Sequence, residues 1–193
     1  TMNYKNYGKS KVINEQESWL TENDEYAKKS IGEKINDATF LTIDNHELKL
    51  SDLKSDFTLI SYIFSRCPMP NMCPASIIKN QYLADQFKDN NISFLLISFD
   101  YIYDTPEVLN NIYKRFERDN LIFLSSYNHL NDIFTLTQQS GVGFWGVEEN
   151  NIGHSMRSIL IDKNLKLLKT FDGIDWKPGD AKKDIENILK IYK

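Results

Sequence analysis

The stretch FTLISYIFS, residues 57–65, restricts this chain more than any other. It is uncharged and nearly continuously apolar, so a strand built from it has no face to give to water. Such a strand must lie in the middle of a sheet with a layer packed on each side. A second run of the same kind, ISFLLISF at residues 92–99, repeats the demand. Between them, Pro74 to about Lys88 reads as a helix whose apolar stripe is Ile77, Ile78, Tyr82, Leu83 and Phe87.

The flanking sequence has the same logic. TFLTIDNHELKL reads as a hairpin turning at Asp44-Asn45. Thr105, Pro106 and Glu107 form a helix start: a capping hydroxyl, a proline at the first position and a carboxylate in the first turn. LIFLSSY (121–127) is a third strand, and LNDIFTLTQQSG a helix stopped by Gly141. A glycine-rich loop with exposed-looking aromatics, GVGFWGVEENNIG, spans 141–153. SMRSILIDKNLKLLKTFDG closes as a hairpin turning at Lys163-Asn164, and a last helix runs from about Asp180 to Tyr192. Strands alternating with helices, then a hairpin and a helix, predict a three-layer α/β sandwich with a mixed central sheet, the element order of the thioredoxin superfamily.

Composition narrows the function. A net charge of -4 and a pI near 5.4, with lysine and arginine scattered, speak against a nucleic-acid partner. No run approaches the roughly 20 apolar residues that cross a bilayer. Residues 1–30 are polar, yet punctuated by Tyr4, Tyr7, Trp19 and Tyr26. They read as an N-terminal extension packed over a domain at 31–193, partly helical around Glu15 to Lys29.

FSRCPMPNMCP, starting at Phe64, holds both cysteines and three of the five prolines. Cys67, Met69 and Cys73 each precede a proline, which keeps them out of helical backbone, while Pro74 suits a helix's first position. Cys67 is therefore expected just past a central strand, at the carboxyl edge where open α/β sheets bind ligands, and Cys73 at the cap of the next helix. The partial positive charge of that helix start, and Arg66 if it turns inward, would lower the Cys73 pKa. The pair suits a disulfide staple, a redox couple or a soft-metal clamp. Structural zinc fits poorly, because it wants four ligands and the chain has two cysteines and three histidines.

FSRCPMPNMCP, SFDYIYDTPEVL and GHSMRSILIDKN, in this order, together resemble the Sco (SenC) family of copper-binding cytochrome oxidase assembly proteins over about residues 31–193. The resemblance implies a thioredoxin-like fold and a copper site made by Cys67, Cys73 and His154. Thiolates suit Cu(I), and imidazole suits either copper oxidation state. Asp100 and Asp104 match the family's paired acidic motif, to orient His154 or to face a partner, although Asp after a strand is also ordinary turn chemistry. Two departures stand out. Five residues separate the cysteines where the family usually has three, admitting Met69 and Met72 as soft thioether helpers or as packing residues, and Asn36 stands where a proline is common.

The resemblance further implies an extracytoplasmic metallochaperone, membrane-anchored in its native form, serving the dinuclear copper site of a terminal oxidase or another cuproprotein and kept reduced by a thiol-disulfide reductant. The alternative from the same cysteines is a thiol-disulfide oxidoreductase or redox sensor, for which His154 is dispensable. No proline precedes the strand at 157, where thioredoxin-type reductases carry a cis-proline, and GHS stands there instead. Phe144 and Trp145 are read as a docking surface.

Overall fold

The computed structural model describes residues 27–192. The helix expected around 15–29 therefore lies outside the described residues except for 27–29, which are not helical.

In chain order, β1 (Thr39–Thr42) and β2 (Glu47–Lys49) form the first hairpin. β3 (Phe57–Ile63) leads through the cysteine loop into α1 (Cys73–Gln86), β4 (Ile92–Ser98) and α2 (Pro106–Tyr113). β5 (Leu121–Ser125) and α3 (Leu130–Ser140) follow, then two very short strands, β6 (Phe144–Trp145) and β7 (Gly153–His154). β8 (Arg157–Asp162), β9 (Leu167–Asp172) and α4 (Pro178–Ile191) complete the described chain. No described helix is long and apolar enough to cross a membrane.

Seven strands make one sheet in the order β2-β1-β5-β4-β3-β8-β9. β3, β4 and β5 run parallel, whereas β8 and β1 join this core antiparallel, which makes the sheet mixed as expected. All seven residues of β3 are buried, as the uninterrupted apolar run demands.

Adjacent residues of a strand point to opposite faces, and β3 shows what lies on each. The hydroxyl of Ser61 bonds Asn80 of α1 and Ser158 of β8, all buried. The Tyr62 hydroxyl meets Ser140 of α3 at 2.6 Å. Helices α1 and α3 therefore cover opposite faces, giving the three layers. The cap at α2 forms as read, Thr105 Oγ1 accepting from the Val108 N–H at 3.3 Å.

The stripe expected on α1 is only half right. Ile77, Leu83 and Phe87 are buried, but Ile78 is 65 % and Tyr82 40 % exposed. The inward face is completed by Cys73, Ser76, Asn80 and Ala84, because the sheet beneath offers Ser61 and Ser158 as polar partners and the helix turns toward them. Asn36 also acquires a role. It exchanges two hydrogen bonds with the Gln139 side chain, of 2.7 and 2.9 Å, and proline could not donate the first.

Candidate metal centre

Each half of the site grows from a different kind of structure. β3 ends at Ile63, and the chain turns over Phe64 and Ser65 so that Cys67 lands half-buried at the sheet's carboxyl edge. A tight turn, with the Met72 N–H on the Met69 carbonyl at 3.1 Å, curls the five-residue spacer back to α1. Helix α1 begins at Cys73 itself, one residue earlier than read, with Met72 as cap and Pro74 in the first turn. Cys73 is 1 % exposed and belongs to the core. Both cysteines are free thiols.

The other half is a two-stranded antiparallel ribbon that the sequence reading took for loop. Phe144 of β6 faces His154 of β7, and Trp145 faces Gly153. A Cβ at Gly153 would overlap the Trp145 indole, which explains a glycine beside the histidine. At the ribbon's far end Gly146 takes φ +74°, a left-handed conformation that favours glycine. The His154 ring sits edge-on to Phe64 at 5.5 Å and against Phe99 at 4.8 Å, and Phe99 in turn stacks on Phe144 at 5.1 Å.

These two halves bring three ligand atoms together: the sulfurs of Cys67 and Cys73 and a ring nitrogen of His154 all lie within 4.8 Å of one another. His154 Nδ1 contacts the Ser155 carbonyl at 3.1 Å, and a carbonyl only accepts, so Nδ1 carries the proton. Nε2 is then the lone-pair nitrogen, and it faces Cys73 Sγ at 3.8 Å. Burial lowers the His154 pKa against the smaller opposing effect of that carbonyl bond, keeping the ring neutral at neutral pH. A three-coordinate metal at about 2.3 Å from sulfur and 2.0–2.1 Å from nitrogen holds its ligand atoms roughly 3.7–4.0 Å apart. The three atoms reach one ion with shifts of less than about 1 Å, and two sulfurs with an imidazole are a soft set suited to copper.

The expected acidity of Cys73 is not found. Burial pushes its thiol far up; a hydrogen bond with the Phe64 backbone works the other way, and the nearness of Cys67 and Asp104 adds to the rise. The helix-terminus effect, about 0.3–2 kcal/mol, is smaller than the desolvation of a buried thiol, which reaches 3–5 pKa units. Nor does Arg66 point at the sulfurs. Its guanidinium closes on Asp100, with nitrogen–oxygen distances of 2.6 and 3.2 Å, stacks over Tyr103 at 4.1 Å and also donates to Asn150.

Neither carboxylate of the acidic pair has a hydrogen bond to His154 among the described contacts. Asp100 is fully buried beneath Arg66, and Asp104, also fully buried, accepts from the Ser65 N–H at 2.8 Å, from the Ser65 hydroxyl, and from Ser98 at 2.5 Å. They therefore fasten the start of the cysteine loop. Burial raises the Asp104 pKa against those hydrogen bonds. Met69 is 48 % exposed at the rim, its carbonyl accepting from the Cys67 thiol. Met72 lines a small cavity with Met156 and Trp176. Sequence reasoning missed Phe64 and Phe99 as supports of the site, and aimed Arg66 at the sulfurs rather than at Asp100. Their signal was proximity to the motifs, which does not by itself reveal a contact.

The chain matches the SCO1/SenC family over residues 28–190. It belongs to that family. The SCO2-like protein of Rickettsia typhi is 29 % identical over 144 residues, spanning 72 % of this chain and 70 % of the relative. A SCO1/SenC family lipoprotein from Bacillus anthracis superposes with a TM-score of 0.71 at 23 % identity, covering 84 % of this chain and 99 % of the other. ScoI of Arabidopsis thaliana, crystallised with copper bound, superposes with a TM-score of 0.69 at 20 % identity, covering 84 % and 100 %. At these identities the structures establish the fold, in which the family's mixed sheet and flanking helices recur.

Proposed function

We propose that this chain is a copper metallochaperone of the cell envelope that hands copper to the dinuclear copper site of a terminal oxidase. The observation that carries this reading is the convergence of Cys67 and Cys73, from the cysteine loop, with His154, 81 positions beyond Cys73, within 4.8 Å in a member of the SCO1/SenC family. The copper-bound ScoI of Arabidopsis thaliana supports the choice of metal. With copper as cargo, the buried Cys73 is the fixed ligand, and the half-exposed Cys67 is the side from which an incoming ligand of the client can displace it. His154 presents a neutral nitrogen without first losing a proton. We place this work outside the cytoplasm, at the membrane surface where the client sits, with a thiol-disulfide reductant keeping both cysteines reduced.

The test is copper transfer. Anaerobically loaded protein is mixed with the apo copper domain of the same organism's oxidase, and the client's optical spectrum is followed. We expect transfer from the native chain and none from Cys67→Ser. Retention of copper by the native chain, together with reduction of a disulfide in the client, would instead assign the thiol-disulfide oxidoreductase role. That second reading rests on the proximity of two free thiols.

A further inference from the structure

The three loops that build the site end in an unusual surface. Met69, Ile102, Tyr103 and Trp145 are 45–54 % exposed, and they come from the cysteine loop, the β4–α2 loop and the ribbon. Side-chain contacts tie these loops into one rim. Cys67 bonds the Met69 carbonyl, Arg66 stacks under Tyr103 and reaches Asn150, the Tyr101 hydroxyl donates to Glu148, and Trp145 lies over Gly153 beside His154. Large apolar side chains grouped around a functional opening mark an interaction surface.

The unpaired charge of these segments is negative. Across residues 64–74, 99–105 and 141–156 the sequence holds one cation, Arg66, against Asp100, Asp104, Glu148 and Glu149. Arg66 is already neutralised by Asp100, while Glu148 and Glu149 are exposed. An apolar centre with a charged edge is the usual anatomy of a transient interface, in which edge charges set encounter rate and partner choice. A second copy of the chain closing symmetrically on this face would set the glutamates against themselves, and an anionic lipid surface would repel them.

We propose that this rim docks a protein whose own metal-receiving site is ringed by lysine or arginine around an apolar patch, with Trp145 and Ile102 as anchors and Glu148 and Glu149 as the steering edge. This rests on the copper-transfer reading and specifies the surface chemistry of the client.

The experiment titrates the full chain with the apo copper domain of the same organism's oxidase by calorimetry, at low and at high salt. Cu(I) binding by each variant is measured in parallel. We expect native affinity to fall with salt, Ile102→Ser and Trp145→Ala each to weaken docking about tenfold at both salts, and E149Q to weaken it severalfold at low salt only. Cu(I) stoichiometry should be intact in all three variants, which also shows that they fold. Salt-independent docking unmoved by these variants would overturn the proposal. So would failure of the native chain to bind that domain while still holding one Cu(I), or a concentration-dependent homodimer that Trp145→Ala dissolves. Loss of Cu(I) binding by the native chain would be a different failure, that of the copper reading itself.

Discussion

The cysteine half and the histidine half of the site are built to different standards. Cys73 is embedded in the main sheet's core, held by the helix it starts and the strand that precedes it. His154 rides on a ribbon of two-residue strands and is kept in place by side chains: Phe64 and Phe99 beside its ring, the Arg66–Asn150 and Tyr101–Glu148 contacts along the connecting loop, and Val147 buried beneath it. Backbone hydrogen bonds of a wide sheet are shared and cooperative, whereas a ribbon of this length has few of its own. Cys73 is thus fixed by the fold of the sheet while His154 depends on side-chain packing, so perturbations should strike the two halves unequally.

The largest expected effect comes from removing the packing. Phe99 is fully buried between His154 and Phe144, so Phe99→Ala should cost about 3–5 kcal/mol of stability by denaturant titration. It should also broaden or shift the His154 ring signals in NMR while the two thiols still react with a thiol reagent. Equal disturbance of cysteines and histidine would erase the distinction between the halves.

A smaller effect is expected from Arg66→Met. It leaves Asp100 buried without its cation, a loss of about 3–5 kcal/mol for fully buried pairs. Because the Arg66 side chain is 29 % exposed, we expect roughly 2 kcal/mol here, partly recovered in R66M/D100N. Thermal melts measure this, and a double mutant no better than the single would show that the pair is not coupled.

The smallest difference is in proton competition. Burial keeps the Cys73 thiol protonated through the neutral range, so copper must displace that proton and affinity falls as pH drops. His154, its pKa lowered, is already neutral above its usual value of about 6.5 and has no proton to lose there. Between about pH 7 and 8 the slope of Cu(I) affinity against pH should therefore be the same in the native chain and in His154→Ala. A shallower slope in the variant would mean that the ring is protonated in the free protein.

Sequence legibility divided along the same line. The runs that became β3 and β4, the Thr105-Pro106 cap and the proline-flanked cysteines were readable because burial and backbone restriction act locally. His154 was reached through its motif. The ribbon was not seen, since two residues carry no periodicity. Phe144, read with Trp145 as a docking surface, is 5 % exposed and packs under the histidine, leaving Trp145 on the outside. The acidity of Cys73 was misjudged because the helix start is local and visible, whereas the depth of the thiol is set by residues far along the chain. The Arg66–Asp100 pair spans 34 positions and could not be told from any other pairing of opposite charges.

The most direct test of the central claim is an anaerobic Cu(I) titration of the reduced protein against a competing chelator, run in parallel on His154→Ala. Our account predicts one tight equivalent for the native chain, and for the variant a clearly weakened site with an altered spectrum. Weak binding in both, with the two thiols still reactive toward disulfides, would contradict it.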